Sequence, residues 1–195
     1  MAPQEEANIS PATDERRALA TVTMAFSNDP IARWFLPDAD RYLTYWPQVL
    51  RSFGGAALGQ GTADSINDYS GVALWLPPGI APDEEAIGPV MDEGVPHGSR
   101  EEAFEFMERM SQFHLTEPHW YLPFIGVDVT KQGRGYGSAL LRHALKRCDA
   151  DRTPAYLDAT TPASKQLYER HGFTELGVIQ VGSSPPMWPM QRNPG

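Results

Sequence analysis

The run Gln132-Gly133-Arg134-Gly135-Tyr136-Gly137-Ser138 constrains this chain more than any other stretch. It stands between an apolar strand and a segment whose Leu140, Leu141, Ala144, Leu145 and Cys148 fall on one helical face. Glycine at alternate positions lets the backbone turn tightly and lets a ligand come close to it. A helix opened by such a turn presents amides and the positive end of its dipole, which suits a phosphate or pyrophosphate. A tight turn with no ligand is the plainer alternative. A P-loop is excluded, because no Gly-Lys-Ser/Thr ends the run. A dinucleotide fold is a rival: Gly133 and Gly135 fit G-x-G-x-x-G, and Asp158 stands where a ribose-binding acid would. Against it, the third glycine position holds Ser138, and too few residues follow for several more βαβ units.

Around that turn the pattern alternates between strands and helices. A short strand is predicted over 5–10, ended by Pro11, then a helix capped by Thr13 or Asp14 with Leu19, Val22 and Phe26 as its apolar positions. Asn28-Asp29-Pro30 breaks it. Tyr42, Tyr45, Trp46, Val49, Leu50 and Phe53 lie near helical spacing. A weak strand over 62–69 precedes a strong one from Gly71 to Leu76, stopped by Pro77-Pro78-Gly79. Residues 80–99 read as a polar, proline-bearing loop, and Arg100 to Leu115 as a helix with Phe106, Met110 and Phe113 on one face. Trp120 to Val129 reads as a strand interrupted at Pro123 and Gly126. Pro123 cannot donate to a ladder, so the strand lies at an edge or parts from a neighbour there. Past the glycine turn and its helix come a strand from Ala155 to Ala159 and a helix from Pro162 to His171, stopped by Gly172. Strands over Phe173–Val181 and Met187–Gln191 follow. No repeat or linker divides the chain, so the expectation is one α/β (α+β) domain over 1–195.

Charge narrows the function. Sixteen basic against 25 acidic residues leave a net charge of −9, which argues against general nucleic-acid binding. The imbalance is uneven: residues 1–125 hold seven Lys/Arg and 19 Asp/Glu, residues 126–195 nine and six. The basic excess therefore coincides with the glycine turn. One cysteine, Cys148, excludes a disulfide framework and a Cys-rich zinc site. No His/Asp/Glu spacing suggests a metal. No apolar run approaches the roughly 20 residues of a membrane span, and the opening residues are polar and acidic, unlike a secretory signal. The expectation is a cytoplasmic protein, monomer or homodimer, with neither nucleic acid nor membrane as partner.

The residues also resemble a family. Q-x-x-G-x-G after an apolar strand is the signature of the GNAT superfamily of N-acetyltransferases, and Gln132 to Gly137 matches it. Ile125-Gly126-Val127-Asp128-Val129 resembles that family's central strand. Leu167-Tyr168-Glu169-Arg170-His171-Gly172-Phe173 resembles its final helix, and Ile9 to Thr13 its opening strand. Trp120 to Leu141, Pro154 to Phe173, Val72 to Trp75 and Pro185 to Met190 are most similar to the puromycin N-acetyltransferase-like members. The likeness is firm over 118–191 and thin over 1–100. It implies a mixed, mostly antiparallel sheet of six to seven strands flanked by helices, with its central strands splayed. It also implies an acceptor side over 1–117 and an acetyl-CoA-binding core over 118–195.

The resemblance assigns roles by position. Ile125, Gly126 and Val127 would lie along the pantetheine arm of acetyl-CoA, with Gln132, Gly133, Arg134, Gly135, Tyr136, Gly137 and Ser138 around its pyrophosphate. Thr161 and Ser164 stand where many members carry asparagines that touch the coenzyme. Tyr168 would act as the acid toward the leaving thiolate, and a backbone N–H near Ile125 would meet the oxyanion. Asp158, His119, Glu117 or Asp128 would relay the proton lost by the amine, with Asp158 one carbon shorter than the usual glutamate. An acidic, aromatic N-terminal half suits a cationic amine with an apolar body. Trp34, Trp75 and Trp120 are the candidates to line its pocket, Trp75 foremost. The activity implied is acetyl-CoA-dependent N-acetylation of a small-molecule amine by direct transfer. The alternative is a non-catalytic acyl-CoA-binding sensor on the same fold.

Overall fold

The structure, a computed structural model, describes residues 7–195. The elements run β1 (Ile9–Pro11), α1 (Glu15–Ala25), α2 (Pro30–Phe35), α3 (Ala39–Gly54), α4 (Ala56–Gly59), β2 (Ala63–Ile66), β3 (Gly71–Leu76) and α5 (Glu84–Gly94). There follow α6 (Arg100–Phe113), β4 (Trp120–Val127), α7 (Tyr136–Ala150), β5 (Ala155–Ala159), α8 (Pro162–Glu169), β6 (Thr174–Glu175) and β7 (Trp188–Arg192). The first two residues of the strand expected over 5–10 lie outside the described residues.

The seven strands form one sheet in the order β1-β2-β3-β4-β5-β7-β6. Every pairing is antiparallel except that of β4 with β5. Two apolar layers cover its faces. One takes Val22 of α1, Trp46 and Leu50 of α3, and Phe106 of α6, packed on Val72, Leu74 and Leu76 of β3. The other takes Leu140, Leu141 and Cys148 of α7 with Tyr168 of α8, packed on Ala73 and Trp75 of the same strand. The alternation along β3 is the period of two that a strand buried on both faces requires.

In β4 the alternation breaks. Leu74 pairs with Phe124 but Leu76 with Tyr121, so β4 carries one residue more than β3 between those points. This is a β-bulge at Leu122-Pro123, and it puts Tyr121 and Phe124 in the same layer although they are three apart. Beside it, β5 pairs with β4 only from Trp120 to Leu122. The parting expected at Pro123 is therefore present.

Three expectations of the sequence differ from the structure. Residues 80–99 hold a helix, α5, capped by Asp83, which accepts from Ala86 N at 3.1 Å. Pro89 sits inside it and removes one backbone donor, but Ile87 and Met91 are buried, and their apolar packing outweighs that loss. Asn28-Asp29-Pro30 does end α1, yet Asp29 and Pro30 also start α2 as N-cap and first helical residue. The strand expected over Phe173–Val181 shrinks to β6 and a single bridge between Ile179 and Met187.

Candidate active site

A cavity of about 410 Å³ passes through the sheet where β4 and β5 part. Tyr168, Thr161, Ser164 and Gln132 line it on the α7/α8 side, Trp46, Phe53 and Met107 on the other, and Ile125 and Val127 along the free stretch of β4. Asp128 N donates to Ser70 O at 2.9 Å, which makes that an N–H-bonded pair of the β3–β4 ladder. The alternation of an antiparallel ladder then points Gly126 and Phe124 toward β3 and the amides of Ile125 and Val127 into the gap. Gln132 Nε2 donates to Val127 O at 3.2 Å, on that same side.

Three polar side chains converge on the cavity. Asp158, near the end of β5, accepts from the Tyr156 hydroxyl at 2.9 Å through Oδ1. Its Oδ2 is buried and has no hydrogen-bond partner among the described residues. Part of the side chain faces the cavity while that oxygen is shut from solvent. Burial pushes the carboxyl up to about 7, against which the bond from Tyr156 pulls it down. Tyr168 is buried, and its hydroxyl has no hydrogen-bond partner among the described residues. Burial first, then the neighbouring Asp29 and Asp158 carboxylates, push its phenol well above the ordinary tyrosine range. Asp29 is the third. It caps α2 by accepting from Ile31 N and Ala32 N, both at 3.0 Å, and accepts a short hydrogen bond from the Thr160 hydroxyl. In the sequence Asp29 reads as part of a helix break; its contact with Thr160, far along the chain, leaves no local signal.

The glycine turn opens α7 without a side-chain cap. Gly133 and Gly135 adopt φ of +75° and +82°, with nothing within 4 Å of where a side chain would begin. The left-handed backbone explains both glycines, and the open space beyond them leaves room for a phosphate group. Gly137 has a different reason: a Cβ there would contact Leu167 at 3.6 Å, where α7 and α8 approach. Arg134 is exposed on the turn. Tyr136 has its ring buried in the α7 layer, and its hydroxyl accepts from Asn67 at 3.1 Å, so only its backbone faces the turn. The Ser138 hydroxyl is tied to His171 Nε2 at 2.7 Å and Arg142 at 2.8 Å. Thr161 and Ser164 form the capping box of α8 while also lining the cavity. Gly126 faces α1, where a Cβ would stand 2.8 Å from that of Ala25.

Other expected positions lie elsewhere. His119 is outside this cavity: its Nδ1 bonds Glu117 O at 2.8 Å, and both residues border a second cavity beside α5 and α6. Asp128 is occupied by the amide and hydroxyl of Thr130, at 2.8 and 2.7 Å. None of the three tryptophans expected to touch the acceptor lines either cavity. Trp75 is wholly buried in the α7 layer because its place in β3 points it away from α3. Trp120 lies in the same layer and donates to Asp151 at 3.1 Å. Trp34 donates to Ser183 at 3.1 Å and packs on Phe106. The aromatic wall comes instead from Phe26, Phe35, Tyr45, Trp46, Phe53 and Phe124. Cys148 is buried and its thiol is pushed up to about 12, first by that burial, so it supplies no thiolate.

Known proteins share this fold. Residues 105–175 match the model of the Acetyltransferase (GNAT) domain. An uncharacterised N-acetyltransferase of Schizosaccharomyces pombe is 24% identical over 182 residues, covering 83% of this chain and 71% of that protein. A Corynebacterium glutamicum structure described as histone acetyltransferase HPA2 and related acetyltransferase superposes with a TM-score of 0.70 at 27% identity, over 98% of each chain. Arylalkylamine N-acetyltransferase 2 of Aedes aegypti shares the fold, with a TM-score of 0.65 at 14% identity over 98% of this chain and 100% of that one. The seven-stranded sheet and its helices are the GNAT fold. With that fold and these likenesses the protein is an acetyltransferase enzyme; GNAT acetyltransferases generally use acetyl-CoA as acyl donor.

Proposed function

We propose that this enzyme transfers the acetyl group of acetyl-CoA directly to the primary amine of a small molecule, with both substrates bound at once. The observation that carries the reading is the cavity at the β4/β5 gap, which brings an orphaned buried carboxylate and an unbonded phenol together. Pantetheine would take the amides of Ile125 and Val127 as an added strand does. The pyrophosphate would take the backbone of Gly133 to Ser138 at the opening of α7, with Arg134 beside it. The amine enters as ammonium and gives one proton to Asp158, whose pKa near neutrality suits a base at physiological pH. Its nitrogen attacks the thioester carbonyl, and the oxyanion meets a backbone N–H near Ile125. The C–S bond then breaks and the sulfur leaves as thiolate.

Tyr168 would meet that sulfur as a hydrogen-bond donor. Its phenol holds its proton well above the ~8.5 typical of a thiol, so full transfer to the thiolate runs uphill. The nitrogen's second proton, released as the amide forms, balances the thiolate instead. His119, bordering the other cavity, joins this scheme only as a distant relay. The single buried cysteine suits a reducing compartment, and we place the enzyme in the cytoplasm.

The test is thiol release from acetyl-CoA with a panel of amines, an aminonucleoside among them. Tyr168→Phe should lower kcat by roughly 10²-fold or more, as loss of a donor to a developing anion does, with coenzyme affinity nearly intact. Unchanged kcat would remove Tyr168 from the chemistry. Coenzyme binding without turnover of any amine would favour a sensor.

A further inference from the structure

Beside the first cavity lies a second, larger one of about 790 Å³, bordered by α5, α6 and the segments before α5 and before β4. Phe53, Met91, Met107, Met110 and Tyr121 line both. The wall between them is thus mostly thioether and ring, and methionine side chains yield easily to a chain pushing past. Beyond it the lining divides by chemistry. Ile80, Ile87 and Leu115 supply an apolar floor, while Glu84, Glu108 and Glu117 supply carboxylates. No lysine or arginine is among its lining residues. Two histidines, His114 and His119, line it as well; burial pushes His114 down to about 4, so that ring stays neutral at physiological pH. None of the three glutamates forms an ion pair among the described residues. Glu84 serves the N-terminus of α5; Glu108 and Glu117 are exposed.

The first cavity, about 410 Å³, lies toward the lower end of the range for ligand sites, and the acetyl-bearing end of the coenzyme would share it with the acceptor. An extended acceptor would reach beyond it, and the second cavity is the adjoining space. We propose that the second cavity holds the far arm of the acceptor, and that the preferred acceptor is an extended diamine. Its reacting amine meets Asp158, its methylene chain crosses the methionine wall, and its second ammonium rests among Glu108 and Glu117. This rests on the acetyltransferase reading of the first cavity and adds to it the class of acceptor.

The experiment compares hexamethylenediamine with heptylamine, which matches it in length but lacks the second charge. With acetyl-CoA and the full chain, kcat/KM for the diamine should exceed that for the monoamine by roughly tenfold, mainly through KM, as favourable contacts with two exposed carboxylates allow. In the double variant Glu108→Gln/Glu117→Gln the ratio should fall to near one. A ratio near one in the native enzyme, or a preference that survives in the variant, overturns the proposal while leaving the acetyltransferase reading intact. If neither amine releases thiol although another amine of the panel does, the proposal is overturned; if no amine does, the acetyltransferase reading fails on its own. The second cavity is then judged by calorimetric titration of hexamethylenediamine into the full chain with coenzyme A. Heat that the double variant loses supports it; heat that is absent, or equal in both proteins, overturns it.

Discussion

Asp158 is held in a state that an isolated aspartate would not adopt. Its folded pKa is about 7 against an ordinary 3.8, chiefly because burial penalises the anion. Below about pH 4 the carboxyl is protonated whether the chain is folded or not, and it contributes nothing to pH dependence. Between there and about 7 the folded chain binds one proton more than the unfolded, so stability falls as pH rises. Above 7 the loss is complete, of order 4 kcal/mol. Asp158→Asn removes the ionisation and still accepts from Tyr156. Its Tm should therefore overtake that of the native enzyme as pH rises from 4 to 8, by roughly 10 °C for a chain of this size. Thermal melts of the free proteins across that range measure it, and parallel curves would mean Asp158 ionises as any surface carboxylate does. Activity should move the other way. The native kcat/KM should climb with pH through about 7, and the variant should lose that limb along with most of its rate. Stability given up for an ionised carboxylate in a dry site is what a proton acceptor needs, and a bound ammonium relieves it.

Among the elements, the opening of α7 and the free stretch of β4 are where local sequence and site coincide. Gly135 caps α7 in the left-handed region, so Gly135→Ala costs about 1–2 kcal/mol of backbone strain and should weaken coenzyme binding only modestly. Gly135→Asp adds a negative charge facing the pyrophosphate and should abolish binding. Titration of both variants with coenzyme A separates strain from charge; equal binding by the two would place the phosphate elsewhere. Gly126 works through packing. A methyl there meets Ala25 at 2.8 Å and the α1 backbone at Val22 at 3.2 Å, so Gly126→Ala should lower stability by about 1–3 kcal/mol in urea melts. The strands β3, β4 and β5 and the helices α1, α3, α6, α7 and α8 were legible because their apolar period or punctuation is local. The helix α5 was not, since Pro89 and its acidic first turn disguise a face that becomes apolar only against α3. The tryptophans misled for a related reason. Composition announces an aromatic pocket, but the direction in which Trp75 points depends on which layer its strand register assigns it to.

At the scale of the molecule, the proposed coenzyme side and the proposed acceptor side are not separable bodies. The β3–β4 pairing joins them through the middle of one sheet. The layer over α1 and α3 also takes Tyr121, Phe124, Tyr156 and Met187 from beyond residue 117. Asp29 and Thr160 fasten α2 to the approach of α8. The division at 117, suggested by where the family likeness is firm, is thus no boundary between folding units. The domain match over 105–175 falls where the motifs are dense, while the fold needs the strands before it. A fragment of residues 118–195 would bare the edge of β4 that β3 covers, and a long unpaired apolar edge aggregates. It should therefore show no dispersed amide spectrum and no coenzyme binding, although it holds the glycine turn and Tyr168. The intact chain should unfold in one step, with tryptophan fluorescence and far-ultraviolet dichroism giving the same urea midpoint. Two separated midpoints, or a fragment that folds and binds coenzyme A, would show that the acceptor half merely docks on an independent core, and the cavity between them would then be free to open and close as the halves part.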